Sequence, residues 1–233
     1  VVLADCLFFF TFAAVMIIQK DCYRTILLIW LICAPITFLF MRYVPYPIIS
    51  YTLSIIPVTL MGFSLFFFRV PKRTTVPGDN VVTSVADGKV VVIDKVFESE
   101  YLNSECIQVS VYMDFFNVHV NFWPVSGIVK YYKYHPGKYM LAFLPKASEL
   151  NEHTSTAISS PYGEVFFKQI AGTFARRIVC YAKEGAEETK GQECGIIKFG
   201  SRIDMYFPLD AEVNVKIGDF VRASETVIAT LKK

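Results

Sequence analysis

The strongest constraint on this chain is its division by charge. Residues 1–68 carry only Asp5, Lys20, Asp21, Arg24 and Arg42. The remainder holds 20 of the 23 basic and 19 of the 21 acidic residues. A stretch that poor in charge cannot serve as an ordinary solvated surface, whereas the remaining part is long enough to bury a core of its own. Two regions follow: a membrane-associated segment over 1–68 and a soluble domain over 69–233.

Within the first region, Thr25–Met41 and Val44–Phe68 are free of charge. The spacing predicts a helical hairpin, with helices over about 25–41 and 48–68 and a turn at Pro45 and Pro47. Pro57 is expected to kink the second helix. Lys20 and Arg24 precede the hairpin, and Arg69, Lys72 and Arg73 follow it, which predicts both ends on the cytoplasmic side. Leu7–Ile18 is a shorter apolar run, expected to lie on the membrane or pack against the hairpin.

After Phe68 the pattern shortens. "GKVVVIDKV", "IQVSVYMDF", "VHVNFWP", "GIVKYYKY", "RRIVCYA" and "IDMYFP" read as strands punctuated by Gly, Pro, Asp and Asn. The fold class expected is a mainly β soluble domain behind an α-helical membrane hairpin. Short helices are expected at Leu141–Ser148 and Gln169–Ala175. Three segments, "ADGKVVVIDKV", "PVSGIVKYYKYHPGKYMLA" and "VNVKIGDFVRASETVIATL", each set a Gly beside an apolar strand. They are similar to the stacked hairpins of lipoyl/biotinyl-carrier domains and predict β-sandwich elements of that type.

The near-neutral charge of the soluble part gives no footing for nucleic acid. The six cysteines form no CxxC pair and are expected to be reduced packing residues; their spacing suits no zinc site, so no metal is assigned.

For nucleophilic chemistry a hydroxyl needs a base and a group that orients it. The histidines narrow the choice. His135 in "YHPGK" and His153 in "LNEHTST" read as surface residues. His119 in "NVHVNFWP" shares a strand face with Asn117 and Asn121 and is the best base available, although a structural strand histidine would look the same. Asp87 in "SVADGKV" reads locally as a turn aspartate. Lys146, Glu149 and Glu152 read as a solvated helix end. Phe115, Phe116, Phe122 and Trp123 are candidates for a membrane interface or for the core. "IIKFGSRIDMYFP" sets Gly200-Ser201 at the start of a strand, where a bulge is the ordinary explanation.

Taken together, "FFFRVPKR", "SVADGKV", "FNVHVNFWPVSG", "PGKYMLAFLPKASELNEH" and "FGSRIDMYFP" resemble the short, bacterial-type phosphatidylserine decarboxylases over about residues 55–233. Val85 stands where that family usually has Pro, and Phe122 where it commonly has Arg. The resemblance implies a proenzyme that cuts itself between Gly200 and Ser201. It implies that the Ser201 hydroxyl attacks the Gly200 carbonyl, His119 takes the proton and Asp87 orients the imidazole. Ser201 would become a covalent pyruvoyl group, the sole cofactor. The products would be a β chain (1–200) and an α chain (201–233) that stay together as a heterodimer, with a homo-oligomer open. The substrate implied is phosphatidylserine in the inner membrane, decarboxylated through a Schiff base to phosphatidylethanolamine on the cytoplasmic face. Arg202 would contact a phosphate or carboxylate, or form a surface ion pair. Two other readings remain open at this stage: a carrier-like membrane adaptor modified on Lys89, and a membrane serine protease using the same three side chains.

Overall fold

The computed structural model describes residues 17–138, 150–172, 177–198 and 201–232. It divides into two compact units, residues 1–71 and 72–233.

In the first unit a short 3-10 turn, Lys20–Cys22, leads into helix α1 (Tyr23–Tyr43), and α2 (Pro47–Phe67) follows. Each helix has 21 residues, hence a length of about 31 Å, which matches the hydrocarbon core of a bilayer. Pro47 opens α2, a position where its missing N–H costs nothing. Besides Ile26 and Phe67, the hairpin buries mostly small and polar groups: Cys33, Ser50, Ser54, Pro57 and Ser64. Most large apolar side chains point outward, with Ile48 81% and Ile56 68% exposed. This inversion of the soluble pattern suits a helix pair surrounded by lipid. Trp30 Nε1 donates to Ser64 Oγ at 3.2 Å across the pair, and Ser50 Oγ donates to the Phe40 carbonyl at 2.9 Å. Ile17 and Ile18 are not helical: Val70 N–H donates to the Ile17 carbonyl and Ile18 bridges Arg69. Leu7–Met16 lies outside the described residues.

The second unit is built of strands: β1 (Val81–Thr83), β2 (Gly88–Glu98), β3 (Ser104–Met113), β4 (Val120–Phe122), β5 (Gly127–His135), β6 (His153–Ser160) and β7 (Gly163–Ala171), then β8 (Arg177–Cys180), β9 (Glu187–Glu188), β10 (Glu193–Lys198), β11 (Ser201–Phe207), β12 (Glu212–Val213), β13 (Phe220–Val221) and β14 (Val227–Thr230). Eight form one antiparallel sheet in the order β13-β2-β3-β11-β7-β6-β5-β9. Two three-stranded sheets, β1-β14-β12 and β4-β10-β8, complete the unit. One core joins all three sheets through residues such as Val111, Trp123, Phe167, Ile197, Ile203 and Ile228. A smaller cluster of Cys106, Ala157, Phe166 and Tyr206 forms separately.

The mainly β domain and the helical hairpin agree with the sequence reading. Gln169–Ala171 corrects it: these residues close strand β7, between β6 and β11, where cross-strand pairing overrides local helix preference. Leu141–Ser148 lies outside the described residues. Of the four aromatics, Phe122 and Trp123 are core residues, whereas Phe115 and Phe116 are 39% and 72% exposed. The five described cysteines are unbridged.

Candidate active site

The turn before β2 is fixed by close packing. A Cβ on Gly88 would collide with the Tyr112 carbonyl of the neighbouring strand, so only glycine lets the chain enter the sheet there. Gly127 makes the same approach to the Ser159 carbonyl at the start of β5. Two of the three similar sequence segments therefore share a backbone cause. Just before Gly88, Asp87 is held from two sides. Its Oδ2 accepts from Arg73 Nη2 at 2.6 Å and its Oδ1 accepts from the Ala223 amide at 2.8 Å. Arg73 also reaches Glu225 at 3.3 Å.

The Asp87 turn is linked to β4, since Phe122 N–H donates to the Val85 carbonyl at 2.9 Å. His119 precedes β4 and is wholly buried. Its Nδ1 lies 3.0 Å from the Asn117 carbonyl. A carbonyl only accepts, so Nδ1 carries the hydrogen; in the neutral ring Nε2 then keeps the lone pair. The His119 carbonyl in turn accepts the Ile197 amide of β10 at 3.3 Å.

After β10 the chain changes sheets. Ile197 belongs to the three-stranded sheet beside His119, and Ser201 opens β11 in the large sheet, paired with Met113 and Ala171. The register continues to the neighbouring row, where Lys89, Tyr112, Arg202 and Ile170 lie side by side. Strands are about 4.8 Å apart, so Ser201 starts roughly 10 Å from the backbone of Gly88, two strands away. Gly200 lies outside the described residues. The fold therefore brings the backbones of the Asp87 turn, the His119 segment and the start of β11 to one end of the sheet. Within the described residues Asp87 hydrogen-bonds Arg73 and Ala223, and it is the Asn117 carbonyl that holds the His119 ring.

Local reasoning missed a buried polar chain behind this region. Thr154 Oγ1 donates to Gln169 Oε1 at 2.9 Å, and Gln169 Nε2 donates to Asn121 Oδ1 at 2.8 Å. The chain ends on Asn121 Nδ2, a buried donor with no hydrogen-bond partner among the described residues. The "VHVN" alternation placed Asn121 on the His119 face, which was the available signal. Arg73 was also missed as the partner of Asp87, although it belongs to the quoted "RVPKR" block.

Several surface expectations are corrected. Arg202 is 2% exposed and turned inward, donating to Asp204 Oδ1 at 2.6 Å and to Ser110 Oγ at 2.8 Å. His153 is 7% exposed at the start of β6 and pairs across strands with His135, the last residue of β5. Glu152 is buried; Lys146 and Glu149 lie outside the described residues. Lys89 is the second residue of β2, paired with Tyr112 and Phe220, and not at the tip of a hairpin.

The architecture is that of a β-rich domain holding a buried histidine and a carboxylate fixed by an arginine, and two helices of bilayer length come before it in the chain. Residues 60–229 match the family described as phosphatidylserine decarboxylase. The chain is 44% identical over 216 residues to the phosphatidylserine decarboxylase proenzyme of Cytophaga hutchinsonii, covering 92% of this chain and 98% of that protein. It is 48% identical over 175 residues to the proenzyme of Amoebophilus asiaticus, covering 74% and 78%. It is 44% identical over 184 residues to that of Bacteroides fragilis, covering 78% and 81%. The chain belongs to the phosphatidylserine decarboxylase family, as its motifs predict.

Proposed function

We propose that this protein is a self-processing decarboxylase that converts phosphatidylserine to phosphatidylethanolamine and CO2. The observation that carries the proposal is the change of sheets between Ile197 and Ser201. Ile197 lies beside His119 in one sheet and Ser201 opens β11 in the other, which supports a cut in the connection between them.

In this reading the Ser201 hydroxyl attacks the Gly200 carbonyl and its proton passes to His119 Nε2. The amide becomes an ester as the serine nitrogen leaves the carbonyl. The Asn117 carbonyl fixes the ring so that Nε2 is the basic atom. Asp87 acts through its charge on the imidazolium that forms. Two of the four lone-pair sites on its carboxylate are taken by Arg73 and Ala223. Loss of the Ser201 α-proton then eliminates the ester. Gly200 keeps a carboxylate, and water displaces ammonia from the residue left at position 201.

These residues fit a pyruvoyl group at position 201, because the sequence sets a serine after a glycine and the fold supplies a buried histidine whose tautomer is already set. When present, that group supplies a carbonyl that withdraws electrons from the bond to the leaving carboxylate of an amine substrate. The chain's own part is to shield the site from water: Val85, Ala86, Val120 and Trp123 around it are all wholly buried. His119 is the group able to return a proton after CO2 departs.

A lipid substrate accounts for the helical hairpin, and the basic residues on either side of it support a catalytic domain on the cytoplasmic face of the inner membrane. The β chain 1–200 and the α chain 201–233 remain one heterodimer, and the glycine-led strands β2 and β5 are read as elements of a lipoyl/biotinyl-type sandwich. A modified-lysine carrier would need Lys89 at a turn, and its place inside β2 argues against that reading.

Intact-mass measurement and denaturing electrophoresis of the full chain test the proposal. Wild type should separate into 1–200 and a 201–233 fragment with a blocked N-terminus, and should release CO2 from labelled phosphatidylserine. Ser201→Ala and His119→Ala should remain whole and inactive. An active, uncut wild-type chain would refute the mechanism.

A further inference from the structure

The motif block containing His135 and His153 plays no part in the reaction proposed above, yet the fold brings these histidines together. They pair across β5 and β6, with ring centroids 4.4 Å apart and planes within 15°. Glu100, from the turn between β2 and β3, reaches them from above. Its Oε1 lies 2.6 Å from His135 Nε2. One ligand atom from each of the three side chains lies within 4.8 Å of the others.

We propose that Glu100, His135 and His153 bind a single divalent transition-metal ion of zinc's class. The inference is independent of the decarboxylase reading and concerns a site in a different row of the sheet.

The donor set is two imidazoles and one carboxylate, a combination suited to zinc and its neighbours rather than to calcium or magnesium. Glu100 and His153 are each already oriented by a further partner. His153 Nδ1 donates to the Asn151 carbonyl at 2.8 Å, which leaves its Nε2 lone pair for a metal. Burial lowers the His153 pKa from its ordinary value, which favours the neutral ring a ligand must be. Burial would raise the Glu100 carboxyl, but the hydrogen bond and charge of Lys168, with His135 and Ser155, hold it down at about 2. Glu100 is therefore an anion throughout the physiological range.

The second oxygen of Glu100 is occupied, taking Lys168 Nζ at 2.9 Å and Ser155 Oγ at 2.8 Å. The first takes Tyr131 Oη at 3.2 Å as well as His135. A metal would replace the proton now shared between His135 and Glu100 Oε1. That proton moves to Nδ1 of a neutral His135, or to solvent if the ring is charged. The Lys168 ammonium does not set the sign of the site, because Glu98 lies 3.2 Å from it and two carboxylates face one cation.

Tetrahedral zinc with nitrogen and oxygen ligands sets donor atoms roughly 3.4 Å apart. The His135–Glu100 pair must open by about 0.8 Å, and the widest pair must close by no more than about 1.4 Å. His135 has room to swing, with 24% of its side chain exposed, and Glu100 has 16%. That open side admits the ion and leaves a fourth position for water. A bound ion would tie the β2–β3 turn to the ends of β5 and β6. Beside them, Asn151 donates to the carbonyl of Ala171, the strand partner of Ser201.

The test is zinc titration of the purified full chain in detergent, with a competing chromophoric chelator and parallel melting curves. Wild type is expected to take up one zinc per chain and to melt at a higher temperature with zinc than with chelator. Glu100→Gln, His135→Ala and His153→Ala should each weaken binding at least tenfold and abolish the zinc-dependent rise, while His119→Ala should still bind. If His153→Ala does not fold, His135→Ala and Glu100→Gln give the result alone, because both residues are partly exposed. Absence of uptake by wild type, or uptake unchanged in Glu100→Gln and His135→Ala, would overturn the assignment.

Discussion

Arg73 and Asp87 form an ion pair of 2.6 Å in which both side chains are largely shielded, 9% and 15% exposed. The pair belongs to a larger clip. The other Asp87 oxygen holds the Ala223 amide, and Arg73 reaches Glu225. Residues far apart in the sequence thus meet at the turn that leads into β2. Asp87 consequently has two duties, one electrostatic toward His119 in the proposed reaction and one mechanical toward the C-terminal segment.

Arg73→Ala should separate these duties. It leaves a shielded carboxylate without its cation and should cost about 2–4 kcal/mol, somewhat below the range for a fully buried pair. Thermal denaturation would register the loss, and self-cleavage should slow. Arg73→Lys should recover part of the stability, since it restores charge without the two-pronged geometry. Wild-type stability in Arg73→Ala would show that the clip contributes nothing.

Gly88→Ala should destabilise the domain by about 2–4 kcal/mol, because the added methyl meets the Tyr112 carbonyl, which the sheet holds in place. Chemical denaturation measures this directly. A neutral effect would mean that β2 and β3 can separate locally at small cost.

Asn121→Asp should preserve the fold and impair catalysis. The new carboxylate still accepts from Gln169 Nε2, but it replaces the buried Nδ2 donor with a negative charge close to His119. Loss of such a donor from a carboxylate or oxyanion site costs about 100-fold in turnover. Release of labelled CO2 from matured protein is the readout, and unchanged turnover would take Asn121 out of the site.

His153 should make stability depend on pH. Burial depresses its folded-state pKa below the ordinary 6.5, so the unfolded ring binds a proton that the folded ring refuses. Stability should fall as pH drops from about 7 through the folded-state value and then level off. Glu100 acts in a separate window. Its carboxyl titrates at about 2 against an ordinary 4.5, so its contribution is present above 4.5 and is lost toward 2. Denaturant titrations with chelator present at pH 7, 6 and 5 should give a flatter profile for His153→Asn than for wild type. Parallel profiles would show that another group is responsible.

The parts of the fold that could be read in advance are those with a one-dimensional signature. The charge-free helices and the alternating strands β2, β3, β5 and β11 belong to this class. Strands β6 and β7 escaped because the first is rich in Ser and Thr and the second is buried through much of its length, so neither alternates. The histidines show the same limit. "LNEHTST" has the polarity of a loop, and only its pairing with β5 and β7 buries His153. The candidate site was legible as a set of motifs, because glycine, histidine and aspartate sit beside strand starts. Its contacts were not, because Arg73, Ala223 and Gln169 reach it across the sheet rather than along the chain.

Strand β11 runs between β3 and β7, and β14 runs between β1 and β12. A break at 200–201 would leave the shorter piece threaded through the longer one, with hydrogen bonds along both edges of its principal strand. Such pieces cannot be traded between molecules or replaced after damage without tearing open the centre of the sheet. Each molecule would thus carry for life the fragment it made, and a cell could renew the enzyme only by synthesising the whole chain again.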